Sequence, residues 1–118
     1  MYEINIRTWI DGERQPDTIV NKTYVRLRNA EKAAKAYLAS GKVTQEAIIL
    51  PVMTSVTRNE AREAYCKCKD VWVYDGYGKE RLRPSWDYGS HDTRESLFSR
   101  SIEQSVGWNY EGPYYIAY

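Results

Sequence analysis

Apolar and polar positions alternate through residues 2–10, with Tyr2, Ile4, Ile6, Thr8 and Ile10 on one side and Glu3, Asn5, Arg7 and Trp9 on the other. That period of two predicts a half-buried strand. "DGERQPD" after it predicts a turn, with Asp11-Gly12 tolerant of positive φ and Pro16 blocking strand continuation. Residues 19–27 are rich in β-branched and aromatic side chains and predict a second strand beside the first. The period then lengthens: Ala30, Ala33, Ala34, Tyr37 and Leu38 make one apolar helical stripe, capped by Asn29 and stopped at Gly41, with Lys32 and Lys35 off it in solvent. "EAIILPV", residues 46–52, is a continuous apolar run of the kind found in a central strand covered on both faces, and Pro51 ends its pairing.

Thr57 followed by Glu60 forms a capping box, and Ala61, Ala64, Tyr65 and Cys68 repeat at helical spacing. "YCKCKDVWVY" also reads as one long strand, but the capping box decides for a helix over residues 58–69. "DVWVY" is a strand in either reading, "DGYG" at 75–78 a hairpin turn, and residues 79–83 the return arm. The stretch 76–91, with three glycines and a proline, is otherwise loop, and loops of that length often carry function. A third helix starts at Asp92 with Glu95 in the capping-box position, turns Leu97, Phe98, Ile102 and Val106 inward, and stops at Gly107. In "WNYEGPYYIAY", Tyr114, Ile116 and Tyr118 alternate with Tyr115 and Ala117 as a final strand begun by Pro113, leaving Trp108, Asn109, Tyr110 and Glu111 as surface. The elements lack regular βαβ spacing. The expected fold is α+β: one domain over residues 1–118, with a small mixed or mainly antiparallel sheet of about five strands and two to three helices packed on it.

Composition sharpens this picture further. A chain of 118 residues can bury a core without metal or disulfide staples. Cys66 and Cys68 are too close for an unstrained disulfide and too few for a zinc site, so reduced thiols are expected. Eleven Tyr and four Trp against one Phe imply rings with one apolar and one wet edge, the chemistry of interfaces. No apolar run reaches membrane-spanning length and the amino end lacks a signal-peptide layout, so a soluble cytoplasmic protein with no membrane partner is expected. The net charge of +1 gives no general pull toward nucleic acid. Charge is polarised instead, with Lys22, Arg26, Arg28, Lys32, Lys35 and Lys42 against Glu31 in residues 22–42, and an acidic excess after residue 87.

Candidate chemistry is sparse. "SHD" at 90–92 holds the sole histidine, His91, but adjacent residues cannot assemble a triad. Cys66 or Cys68 paired with His91 lacks any sign of a depressed thiol pKa. "DGYGK" resembles a phosphate cradle, yet no helix opens after it. The carboxylates form no recognisable metal cluster in sequence, and no cofactor is expected. Basic and aromatic residues do interleave in "YGKERLRPSWDY", the vocabulary of protein hot spots and of single-strand stacking.

The expected function is a non-enzymatic protein-binding module, of the inhibitor type made by phages and mobile elements and acting in a host cytoplasm. Its contact residues would be Tyr77, Arg81, Arg83, Trp86, Tyr88, Trp108 and Tyr110. The expected partner is another protein, with a nucleic-acid-processing complex or a second copy of the chain as particular cases. The alternatives are nucleic-acid binding through residues 22–42, and a small nuclease or hydrolase using His91 or metal-bound carboxylates.

Overall fold

The computed structural model describes residues 1–37, 44–88 and 93–117. Contacts divide the chain into two compact units, Met1–Val52 with Gly76–Gly78, and Met53–Asp75 with Lys79–Tyr118. The fold is α+β with every strand pairing antiparallel.

In the first unit β1 (Tyr2–Ile10) lies between β2 (Glu13–Tyr24) and β3 (Thr44–Pro51), and α1 (Leu27–Ala36) packs on one face. In β1 Ile4 and Ile6 are buried against Ala34, with Val20, Tyr24, Ala33, Ala47 and Ile49 around them, but the alternation holds only in part: Asn5 between them is buried as well and Ile10 is exposed. Other expectations need correction. Pro16 does not end the strand. It sits within β2, in a bulge where Pro16 and Asp17 together oppose Arg7, and an edge strand can lose a donor there without breaking a ladder. The helix begins at Leu27 rather than after Asn29, because Leu27 and Arg28 are good helix formers; Arg26 is the N-cap and gives no side-chain bond. The apolar run in β3 belongs to an edge strand, half-buried along most of its length. Continuous hydrophobicity reports burial on both faces and carries no information about lateral position. Along α1, Ala30 and Ala34 are buried and Lys32 and Lys35 exposed, but Tyr37 is exposed rather than inward. Leu38 and the expected stop at Gly41 lie outside the described residues.

In the second unit the strand order is β4 (Met53–Val56), β7 (Tyr114–Ala117), β5 (Trp72–Tyr74), β6 (Lys79–Arg81). The expected sheet of about five strands is thus replaced by sheets of three and four strands. The chain leaves the first sheet at Pro51 and enters the second at Met53, where β4 pairs with β7 near the far end of the sequence. Helices α2 (Arg58–Cys66) and α3 (Arg94–Ser105) supply Ala61, Ala64, Tyr65, Leu97, Phe98 and Ile102 to a core shared with Val71, Val73, Leu82 and Tyr114.

The capping box on α2 forms in full: Glu60 N–H donates to Thr57 Oγ1, and Thr57 N–H to Glu60 Oε1. At the other end Cys68 does not continue the apolar stripe. It is exposed at φ 62°, with its N–H on Tyr65 C=O and the next N–H, from Lys69, on Ala64 C=O. Those two bonds make a Schellman stop in which a cysteine holds the left-handed position glycine usually fills. Helix α3 is capped by Thr93, whose Oγ1 accepts from Ser96 N–H, not by Asp92, which lies outside the described residues. It ends at Gly107, φ 96°. The aromatic tail becomes the inner strand β7, paired with β4 and β5, with the Tyr114 ring buried against Phe98. Tyr118 lies outside the described residues.

Candidate functional site

Leu82, buried, continues the β5–β6 hairpin by donating its N–H to Val71 C=O. Pro84 then opens a single 3-10 turn, Ser85–Asp87, closed by Asp87 N–H on Pro84 C=O and Tyr88 N–H on Ser85 C=O. Proline pre-sets φ for such a turn, and Ser85 is buried, so Trp86 is directed outward at 58% exposure.

Tyr88 is half-buried against the core, and two guanidiniums approach its ring. Arg83 stands 4.6 Å from its ring centroid and Arg100, on α3, 5.9 Å. Arg83 also donates to Asp87 C=O at 3.0 Å, and among the described residues no carboxylate pairs with it. A buried hydroxyl network holds the segment from beneath. The Tyr65 hydroxyl and Ser101 Oγ both reach Arg83 C=O, at 2.7 and 2.9 Å, and each other at 2.9 Å. The Tyr88 hydroxyl meets Ser101 Oγ at 3.0 Å and Gln104 Oε1 at 2.8 Å. Burial pushes the Tyr65 phenol above its usual range, against the opposing pull of the Ser101 hydrogen bond and the Arg83 charge. Chemically this is a cationic aromatic ridge on a fixed backbone, able to accept carboxylates and flat rings.

Of the seven contact residues read from the sequence, Arg83 and Tyr88 come together here, and Trp86 stands exposed in the turn between them. Arg81 is exposed and pairs with Asp70 at 3.8 Å. Tyr77 belongs to the first unit, 44% exposed, with the Arg14 guanidinium 5.3 Å from its ring. Trp108 is 79% exposed. Tyr110 serves the fold: its hydroxyl accepts from Tyr74 N–H at 3.0 Å and donates to Pro113 C=O, and its ring meets Tyr114 edge-on. Burial raises its phenol as well. Arg100 and Gln104 complete the cluster and were not anticipated; their spacing of four on one helix face was the available signal.

Other candidates fare as follows. His91 lies outside the described residues. Cys66 is half-buried and Cys68 exposed, both free. "DGYGK" is the turn between β5 and β6, so a strand follows it and not a helix. Among the described residues no group of three or more His, Cys, Asp or Glu is placed to hold a metal ion. In the basic stretch, Arg26, Arg28, Lys32 and Lys35 are exposed, Lys22 lies 5.3 Å from the Tyr24 ring, and Lys42 is outside the described residues. No helix among the described residues is long and apolar enough to cross a membrane. Set against protein-family models, curated proteins and solved structures, the chain matches none.

Proposed function

We propose that the chain is a protein-binding module whose contact surface is the Arg83–Trp86–Tyr88–Arg100 cluster, docking on an acidic, ring-accepting patch of another protein. The observation that carries this reading is a tryptophan exposed at 58%, two positions from a half-buried tyrosine with guanidiniums 4.6 and 5.9 Å from its ring, on a backbone fixed by buried hydroxyls. Trp, Tyr and Arg are the side chains that dominate binding energy when an interface covers them, and a backbone already ordered limits the entropy lost on docking. A module of this kind acts by occupying a partner's surface, the mode of an inhibitor. On the same reading it acts in the cytoplasm, where Cys66 and Cys68 stay reduced.

The test compares the immobilised chain with Arg83→Ala and Trp86→Ala in a native extract, with bound proteins quantified by mass spectrometry. Both changes leave the Arg83 carbonyl, which the hydroxyls use, in place. A bound protein lost from both variants at unchanged melting temperature supports the reading, and its affinity is expected to fall by about 2 kcal/mol, roughly thirtyfold, per substitution. Identical recovery refutes it. Oligonucleotide binding that falls steeply with salt and depends on the same two residues would instead assign the cluster to nucleic acid.

A further inference from the structure

The three-stranded sheet has two outer edges built on different plans. Along β2 the register to β1 shifts twice, Pro16 removes a donor, and Asp17 N–H is taken by Tyr77 C=O at 2.6 Å. Bulges, prolines and covering segments are the devices that stop an edge from recruiting another strand. Along β3 the register carries no bulge, and its one proline, Pro51, stands at the last position. Its register to β1 runs unbroken from Trp9↔Thr44 to Tyr2↔Pro51, Glu46 is its one charged residue, and among the described residues no strand pairs with its outer side. On the α1 side of this edge lies an open groove of about 460 Å³ lined by Glu31, Ala34, Lys35, Ala47 and Ile49, among others.

We propose that the β3 edge receives β3 of a second copy, in antiparallel pairing about a twofold axis, so that two three-stranded sheets join into one of six strands. The sequence of β3 suits itself as partner. Pairing centred on Ile48 sets Ile48 opposite Ile48, Ala47 opposite Ile49 and Glu46 opposite Leu50, so no two like charges face each other. Directly opposed residues share a face of the sheet, so the incoming Ala47 and Ile49 are carried to the α1 side, where the groove has room for them. The contact is isologous and closed, so it ends at a dimer and does not propagate into a fibre. It uses no residue of the Arg83–Tyr88 cluster and stands independently of the proposed binding function.

Sedimentation equilibrium of the full chain is expected to move from 13.8 kDa to twice that mass as concentration rises. Hydrogen exchange on the same samples should show alternate amides of β3 protected at high concentration and open on dilution, since alternate N–H groups point to the outer edge. Glu46→Pro and Ala47→Pro supply the second measurement. Successive N–H groups point to opposite edges, so one of the two removes an outward donor without cutting the β1 ladder, and that variant is expected to melt near wild type and stay monomeric. If both variants fail to fold, exchange in the wild type decides. A monomer at every soluble concentration overturns the proposal. So does a dimer in which dilution leaves β3 exchange unchanged, or protection of β3 by a strand of a different protein.

Discussion

Tyr65 and Ser101 lend themselves to a double-mutant cycle because both hydroxyls address one carbonyl, that of Arg83. The hydroxyls of Tyr65, Ser101 and Tyr88 bring one proton each to a set of contacts that includes each other, Arg83 C=O and Gln104 Oε1, so those contacts cannot all be donated at once. Ser101→Ala removes one proton but leaves Tyr65 on Arg83 C=O and Tyr88 on Gln104. The expected loss is one net hydrogen bond, about 1 kcal/mol, offset by roughly 0.5 kcal/mol because alanine is the better helix former within α3. Tyr65→Phe keeps the ring contact with Phe98, at 5.4 Å between centroids, and leaves Ser101 on the carbonyl. Its cost is again about 1 kcal/mol. Only the double variant strips both donors, and a carbonyl left unsatisfied costs a further 1–3 kcal/mol or so. The helix-propensity gain enters the single and double variants alike and cancels in the cycle. Urea unfolding of the four proteins should therefore give a double-mutant loss exceeding the sum of the singles by about 1 kcal/mol or more, with the slope m unchanged. Additivity within about 0.5 kcal/mol would refute the shared-acceptor account of how the candidate site is held.

Cys68→Gly should stabilise the second unit by about 0.5–1 kcal/mol, because relief of the left-handed strain at φ 62° exceeds glycine's extra entropy in the unfolded chain; a lower melting temperature would contradict it. Gly78→Ala should cost about 1–3 kcal/mol, since an added Cβ would stand 2.0 Å from Asp17 Oδ2 and the carboxylate is held by Arg7 at 3.7 Å and Arg14 at 3.6 Å; an unaltered melting curve would show that Asp17 moves aside freely. Burial raises the phenols of Tyr65, Tyr110 and Tyr114 above the usual 10.0, so as pH rises the unfolded chain releases these protons first. Their contribution to stability is complete below pH 10.0 and is lost as pH climbs through the raised folded values, and Tyr114→Phe should flatten that decline in tyrosinate-monitored unfolding; an equal slope would remove Tyr114 from the cause.

The parts of this fold that could be read from the sequence are those set by neighbours in the chain. The Thr57–Glu60 box, the inward set Leu97, Phe98 and Ile102, the stop at Gly107 and the β5–β6 hairpin each depend on residues a few positions apart, and each forms. The misreadings share another cause. Whether β3 is central or at an edge, and whether one sheet or two is built, depends on which strand pairs with which. The partner of β4 is β7, about sixty residues away along the pairs Val56↔Tyr114 to Met53↔Ala117, and no periodicity encodes that choice. Pro16 misled for the same reason: proline forbids a central strand but not an edge, and edge position is a property of the sheet.

The candidate site divides along the same line. Arg83, Trp86 and Tyr88 are close in sequence and share one turn started by Pro84, so interleaved basic and aromatic residues were enough to mark this candidate stretch. Arg100, Gln104 and Ser101 join only because α3 packs beside that turn, and their polar side chains read from sequence as an ordinary solvated face. Ser101 is the sharpest case, a fully buried serine one position before Ile102 on a helix whose apolar stripe gives no sign of it. Its reason for being buried is the Arg83 carbonyl, a backbone group that every non-terminal residue carries and that no composition can mark. A site anchored through backbone acceptors is therefore visible at the side chains it exposes and silent at those that hold it, which is why substitutions at Tyr65 and Ser101 test its architecture and substitutions at Arg83 and Trp86 test its function.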